Sequence, residues 1–421
     1  MNGLIEYKFS DLYEMSSGIS SKPEQAGHGA PFVSFSTVFN HFFLPKILND
    51  FMDTTEKEQE IYSIKIGDIF LTRTSETIDE LGMSSVALED YPKATFSGFT
   101  KRLRPKQNNI AYHRYMAFYL RSKFFRKTMT NNAIMTLRAS LNEDIFSYLK
   151  LHLPNFTTQK TIGDFLFSLY EKTEINNSLN TEMECLTKLI YDFWFIQFDF
   201  PNEEGKPYKT SGSQMVWNEL MRREIPLGWE VKRLGDYAEV AKGELITEKE
   251  AINGNVKVVA GGINYAYHHN ECNRDENTIT ISGSGASAGY VNFWHEPIFA
   301  SDCTTVRGKT TIETILLFHY LKQIQSQIFR LAKGSAQPHV YPNDIRQLFY
   351  VVPPQEIFEK AGQLLVNMIE GISINQSQNG HLLNLMDWLL PMLLNGQVKI
   401  DEVGQELAMA AEPEVVYRKR K

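Results

Sequence analysis

A chain of 421 residues, 43% hydrophobic and 22% charged, has the make-up of a globular protein with room for two or three cored domains. No apolar run nears the ~18 residues that span a bilayer. The start "MNGLIEYKFSDLYE" predicts no signal peptide, and three scattered cysteines (Cys185, Cys272, Cys303) exclude a disulfide framework and fit a reducing cytoplasm.

In chain order, "GDIFLTRTS" (67–75) is the first clear strand, an apolar run ending in a small polar tip. The net charge of −7 would discourage a nucleic-acid partner if charge were spread evenly, but it is not. Between Asp90 and Glu143 there is no acid, while Lys93, Lys101, Arg102, Arg104, Lys106, Arg114, Arg121, Lys123, Arg126, Lys127 and Arg138 lie among tyrosines, phenylalanines and asparagines. The acids gather in stretches such as "NDFMDTTEKEQE" and "EINNSLNTEMEC". A basic window of this kind points to a phosphate-facing surface. Within it "GFTKRLRP" (98–105) alternates as a strand, with Lys101 and Leu103 facing opposite to Arg102 and Arg104.

After Pro154, residues Ile162, Phe165, Leu169, Lys172, Ile175, Leu179, Met183, Leu186, Ile190 and Phe193 step by threes and fours. After Pro353-Pro354, residues Phe358, Ala361, Leu365, Met368, Ile372, Asn379, Leu382, Met386, Leu389 and Leu393 do the same, as far as Gly396. Two narrow, nearly heptad stripes of about forty residues predict coiled-coil helices roughly 60 Å long that bury their stripes on each other. Phe193, Trp194 and Trp388 are expected in that coiled-coil core, with exposed stripe ends able to receive a partner. The Gly/Pro/Ser/Lys-rich stretch from Pro201 reads as a linker.

"NTITISGSGASAGYVNFW" (277–294) resembles a nucleotide loop, but Gly283, Gly285 and Gly289 are spaced one residue too far for G-x-G-x-x-G. A strand-like run follows where that loop needs a helix, so a hairpin with a small-residue tip is predicted. "GKTT" (308–311) has Cys303 where a phosphate loop needs glycine. "VVPPQE" lacks the flanking residues of an amino-methyltransferase. His268-His269 with Cys272 has no second Cys/His pair, and Asp302 has no partner motif. No nucleophile, base and orienter assemble, so no catalysis, cofactor or metal site is expected of this chain alone.

The chain also repeats itself. "YKFSDLYEMSSG" (7–18) aligns with "VKRLGDYAEVAKG" (231–243), matching Asp11 with Asp236, Glu14 with Glu239 and Gly18 with Gly243. "GDIFLTRTS" aligns with "NTITISGSG" (277–285), and "FYLRSKFF" (118–125) with "HYLKQIQSQIF" (319–329). "NEDIFSYLKLHLP" (142–154) aligns with "PNDIRQLFYVVPP" (342–354), pairing Asp144 with Asp344 and Ile145 with Ile345. A long helix follows each half. An antiparallel helix pair would relate two similar heads by a pseudo-twofold axis and hold them a set distance apart.

This organisation, together with Ile225-Pro226, Gly228-Trp229-Glu230 and Leu234-Gly235-Asp236 in "SGSQMVWNELMRREIPLGWEVKRLGDYAEVAKG" (211–243) and with "GSAQPHVYPNDIRQLFYVVPP" (334–354), resembles the specificity (S) subunit of type I restriction-modification systems. The resemblance runs from about residue 5 to about 397. The first half lacks the Pro-x-Gly-Trp-Glu start, and "PNFTTQKTI" and "PPQEIFEKA" are loose versions of the family's spacer start. The resemblance implies an α/β (α+β) fold: target recognition domains at 1–154 and 225–353, spacer helices at 155–200 and 354–397, a linker at 201–224 and a tail at 398–421. It also implies a non-catalytic subunit that reads a bipartite, asymmetric double-stranded DNA site in the cytoplasm, in defence against foreign DNA. Its partners would be two methyltransferase (M) subunits, which methylate adenine N6 with S-adenosylmethionine, and restriction (R) subunits using ATP and Mg. A stand-alone DNA-modifying enzyme would show a methyl-donor or nuclease motif; a coiled-coil adaptor leaves the basic window unexplained.

Arginine and amide side chains suit base edges, while lysine and backbone N–H groups hold phosphates. The candidate DNA-binding residues are Arg73, Ser75, Lys101, Arg102 and Arg104 in the first half. In the second they are Ser282, Ser284, Arg307, Lys309, Lys333, Gln337 and His339, with the hairpin glycines allowing close approach to a groove.

Overall fold

The computed structural model describes residues 4–20, 22–75, 81–132, 134–135, 139–140, 149–334, 337–398 and 400. They divide into two compact units, one of residues 1–174 with 379–421, the other of residues 175–378. The first contains β1 (Ile5–Lys8), α1 (Phe9–Leu12), β2 (Tyr13–Ser17), β3 (Ala26–Val33), α2 (Phe35–Asn40), β4 (Asp50–Met52) and α3 (Glu56–Ile61). It continues with β5 (Ile69–Thr72), β6 (Thr74–Ser75), β7 (Ser84–Val86), β8 (Thr95–Phe96), β9 (Thr100–Pro105), α4 (His113–Arg121) and α5 (Lys123–Asn132). Short strands β10 (Ile134–Met135) and β11 (Ala139–Ser140) and then β12 (Lys150–Leu153) precede the long helix α6 (Phe156–Tyr191), which ends in a π-type turn at Asp192–Ile196.

The second unit contains β13 (Met215–Asn218), β14 (Arg223–Pro226), β15 (Glu230–Arg233), α7 (Leu234–Tyr237), β16 (Glu239–Lys242), β17 (Val256–Val259) and β18 (Tyr265–His269). Next come β19 (Thr278–Ser282), β20 (Val291–Trp294), β21 (Ile298–Ala300), β22 (Cys303–Arg307), α8 (Thr311–Gln323), α9 (Gln325–Arg330), α10 (Pro342–Arg346) and β23 (Phe349–Val352). The second long helix is α11 (Gln355–Leu394).

The two units share one plan. An antiparallel sheet ordered β2-β9-β5-β7 in the first has its counterpart β16-β22-β19-β20 in the second. A smaller sheet, β4-β3-β8 or β18-β17-β21, has a middle strand antiparallel to one neighbour and parallel to the other. The strand before the first short helix pairs with the strand before the long one, β1 with β12 and β15 with β23. Central strands β5 and β19 are buried at every residue, which is why they read as "IFLT" and "TITIS" without a solvent-facing alternation. Gly18 and Gly243 occupy equivalent places for one steric reason. A Cβ would lie 2.3 Å from the Ser97 carbonyl oxygen in the first case and 2.1 Å from that of Ser301 in the second.

Inside each unit the long helices pair antiparallel. In the first, Ile162, Leu166 and Leu169 share a core with Leu382, Met386, Leu389 and Leu393. In the second, Tyr191 and Trp194 share a core with Phe358, Ala361, Leu365, Ile369 and Ile372. The apolar stripe read from sequence holds along most of α11 but departs from the buried seam of α6 after Leu169. The buried seam continues through Thr173, Asn176, Asn180 and Thr187 to Tyr191 and Trp194. Ile175, Leu179, Leu186 and Phe193 are instead 40–49% exposed. Trp194 is buried as expected, whereas Phe193 and Trp388, the latter 65% exposed, are not. The seam itself turns polar here, so the apolar residues of this stretch mark the opposite face. Gly163 and Gly362 occupy matching places near the starts of the two helices. A Cβ on Gly163 would meet Tyr115 N at 2.6 Å near the start of α4, and one on Gly362 would meet Ile312 at 2.5 Å near the start of α8.

The supposed linker at 201–224 is folded. Asp199 accepts from the Thr210 amide and hydroxyl, and Asn202 Oδ1 accepts from the amides of Glu204 and Lys206. Phe200 stacks between Tyr208 and Trp229, with centroids at 4.6 and 5.3 Å. The rest forms the β13–β14 hairpin. Its turn-rich composition satisfies tight local turns rather than flexibility.

Candidate nucleic-acid interface

The basic window is mostly turned inward. Lys101, 5% exposed, donates to Ser17 Oγ at 2.7 Å. Arg102, 8% exposed, donates to the Ser63 carbonyl at 2.5 Å and lies over the Phe96 ring. Arg104 makes a two-pronged contact with the fully buried Asp68 at 2.8 and 2.6 Å and also reaches Ser63 O. The alternation read from "GFTKRLRP" is right, but Lys101 and Arg102 are buried and the part-exposed Arg104 is held by Asp68, so these three side chains are corrected from DNA contacts to sheet ties. Burial lowers the Arg102 pKa, whereas the Asp68 hydrogen bonds raise that of Arg104.

The other described arginines of the window are tied to the protein as well. Arg114 pairs with Asp164 at 2.8 Å and Arg126 donates to Leu81 O, while Lys106 donates to Ser10 O but stays exposed. Arg121 donates to the carbonyls of Ser84, Val38, Phe39 and His41 and stacks on Phe42, and burial pushes its pKa down to about 10. A guanidinium has five donors, enough to satisfy several buried carbonyls. Lys93, Lys123 and Lys127 are exposed, and Arg138 lies outside the described residues.

What stays available is one edge of each main sheet. In the first unit the C-terminal end of β5 delivers Arg73 to the surface, where its amide donates to Phe99 O at 2.9 Å. Phe99 is 62% exposed in the β8–β9 turn, beside an exposed arginine, an arrangement suited to stacking on a base. Sequence reading missed it; the signal was a phenylalanine following a glycine in a turn. Ser75 adds its backbone to a short ladder with Ala139, and its side chain lies outside the described residues.

The matching edge of the second unit lies past β19. The predicted hairpin is present, with Ile281 opposite Val291. Two of its glycines approach their own chain, whereas Gly285, at a φ of +81°, has nothing within 4 Å of where a Cβ would stand. A Cβ on Gly283 would lie 2.7 Å from Asp302 Oδ1, and one on Gly289 would lie 3.3 Å from Ile328. Ser282, 4% exposed, donates to Gly262 O, which corrects it to a structural residue. Ser284 donates to Asp302 and forms a backbone bridge with His339, and Gly285 N donates to Pro338 O. His339 also bridges Lys333, and its ring stacks on Tyr341. Lys333 pairs with Asp344 at 2.8 Å, and Gln337 is exposed. The structure therefore gathers Ser284, Lys333, Gln337 and His339 at one edge.

Arg307 and Lys309 are not part of that cluster. In the antiparallel ladder Cys303 faces Ser282 while Val306 faces Ile279, so Arg307 projects from the far end of the sheet, where it pairs with Asp275 at 3.0 Å. Lys309 is exposed in the turn before α8. Four strand residues separate the two ends by about 13 Å.

Among the described residues no group of histidine, cysteine and carboxylates could hold a metal, and no helix is long and apolar enough to cross a membrane. A sequence model described as "Type I restriction modification DNA specificity domain" matches residues 6–184 and again 226–383. The type I restriction enzyme MjaIX specificity subunit of Methanocaldococcus jannaschii is 24% identical over 431 aligned positions, covering 94% of each chain. The HindI specificity subunit of Haemophilus influenzae is 21% identical over 61% of this chain and 70% of its own. The crystal structure of the S subunit of a type I restriction-modification system from M. genitalium shares the fold, with a TM-score of 0.60 over 93% of this chain and 96% of that one at 14% identity.

Proposed function

Because the chain belongs to the type I restriction-modification DNA specificity family, we propose that it is the DNA-reading, non-catalytic subunit of such a complex. Each unit reads one half of a bipartite, asymmetric double-stranded site. The observation that carries this reading is the repeat with unlike edges. One sheet plan occurs twice, ending in Arg73 and Phe99 in one copy and in Ser284, Gln337 and His339 in the other. A common scaffold with divergent loops is how two different short sequences can be read by one chain. The exposed apolar face of α6 (Ile175, Leu179, Leu186, Leu189), continued by Phe193 in its terminal turn, supports docking of methyltransferase subunits on the helices. Those partners bring S-adenosylmethionine and modify adenine, and restriction subunits bring ATP and Mg.

The test is to map modified adenines in a host carrying the chain with its methyltransferase, before and after exchanging residues 230–353 for those of another family member. One half of the modified sequence is expected to change and the other to persist. Change in both halves, or in neither, overturns the reading.

A further inference from the structure

Resting on that reading, we propose that the amides paired between α6 and α11 fix the register of the helix pair and thereby the number of unread base pairs between the half-sites. In the second unit Asn176 Nδ2 donates to Gln378 Oε1 at 2.8 Å, and Asn375 Nδ2 donates to Asn180 Oδ1 at 2.8 Å. Asn176 is 1% and Asn180 7% exposed, and their partners Gln378 and Asn375 are half-buried. In the first unit Asn379, 9% exposed, donates to Thr173 O at 3.5 Å. With Gly163 matched to Gly362, Asn176 and Asn180 correspond to Asn375 and Asn379, so each helix brings the same asparagine pair to its seam.

The remaining seam cannot tell one register from another. Leu382 and Leu389, Met386 and Leu393, Leu365 and Ile372, and Ile162 and Leu169 are each one heptad apart, and all eight are buried and apolar. Sliding one helix by a heptad therefore sets apolar against apolar everywhere except at the amides and at Thr173 and Thr187. Those two hydroxyls donate within their own helix, to Tyr170 O and Glu184 O, and so do not depend on register. Such a slip would leave Asn180 facing Met368 and Asn176 facing Gly371, stranding buried donors and acceptors. Each stranded amide disfavours the wrong register by roughly tenfold or more. One polar residue in an apolar seam is an established way for coiled coils to choose register. The helix moves about 10 Å per heptad, about three base pairs of duplex. These asparagines are positioning residues that act through the helices, not on DNA.

The experiment replaces Asn176, Asn180, Asn375, Gln378 and Asn379 together by leucine and maps modified adenines alongside the parent. A milder variant, Asn180→Leu with Asn375→Leu, removes one pair without leaving an amide alone and covers failure of the larger variant to fold. Register is read without DNA by a short bis-maleimide joining Met183→Cys to Gly371→Cys, with Cys185 and Cys272 changed to serine; Met183 Sδ lies 3.2 Å from a Cβ built on Gly371. A second half-site spacing, about three base pairs from the first, is expected at a tenth or more of modified sites, with a matching fall in cross-link yield. Exchanging partners, Asn176→Gln with Gln378→Asn, is expected to keep one spacing. A leucine variant with one unchanged spacing and undiminished cross-linking overturns the inference. If the parent modifies no two-part site at all, the underlying reading fails instead, and the cross-link alone decides the register question.

Discussion

The aligned helix ends at Arg121 and Lys322 show how far two copies of one scaffold can part. In the first unit the α2 segment folds over the end of α4, offering Val38, Phe39 and His41 carbonyls that Arg121 satisfies, while Phe42 and Phe43 pack on Phe118. In the second, Lys322 lies 4.4 Å over Tyr290, and His319 stands where the alignment has Phe118. There Lys322, His319, His295 and Glu184 line an open cavity of about 570 Å³. The strand framework is held by backbone pairing, which tolerates almost any side chain. The space between sheet and helices is filled by whatever inserts the loops supply. The copies therefore differ in how they resist disturbance, and in what disturbs them.

The largest expected difference is in response to acid. Burial pushes His319 and His295 down to about 4, although Asp192 and Glu296 respectively pull them upward; Lys188 also lowers His319. A folded-state value below the unfolded one of ~6.5 means that the unfolded chain takes up protons first. The contribution of these histidines is present above about pH 6.5 and is lost as pH falls toward 4, on the order of 5 kcal/mol for both. Of the five tryptophans, Trp194, Trp217, Trp229 and Trp294 lie in the second unit, so indole fluorescence follows mainly that unit. His319→Phe with His295→Phe, the first change copying Phe118, is expected to remove most of the loss in denaturant titrations at pH 6.5 and 4.5. An unchanged pH slope in the variant would show that the histidines do not set it.

A smaller effect, confined to the other copy, is expected of Arg121→Ala. It leaves four carbonyls without their donor and empties space beside Phe42, a loss on the order of 3–4 kcal/mol. Lys322→Ala, which removes a half-buried lysine from the edge of a cavity, is expected to lose under about 1 kcal/mol. Hydrogen exchange of α4 and α8 amides measures both. Equal losses would mean that the cavity side of the second unit is as tightly tied as the first.

How much of this could be read from sequence depends on whether a feature is local. The repeat, both long helices and the hairpin were legible because periodicity and small-residue turns are written in neighbouring residues. The linker was misjudged because Asp199, Asn202 and Trp229 organise it through contacts that composition does not reveal. The seam of α6 was misplaced because its middle positions are Thr173, Asn176, Asn180 and Thr187, and polar residues do not announce burial. The basic window misled for the converse reason. An acid-free run states that arginines lack nearby carboxylates in sequence, not that they lack carbonyls or a distant Asp68 in space.

The smallest effect on stability, and the sharpest on function, is expected at Arg73. Arg104 and Arg73 both came from one sequence argument, yet only Arg73 is exposed, at a loop edge beside Phe99. Arg73→Ala is therefore expected to change stability by less than about 0.5 kcal/mol. If Arg73 meets a phosphate, the slope of log affinity against log salt falls by about one, equally for cognate and random duplex. If it reads a base, discrimination at one position of the first half-site relaxes by about 1–3 kcal/mol while the second half-site is read as before. Binding assays at several salt concentrations, on cognate duplex and on duplexes altered one half-site at a time, separate these outcomes. No change in any of them would remove this edge from the interface and leave Phe99 and its arginine as ordinary surface.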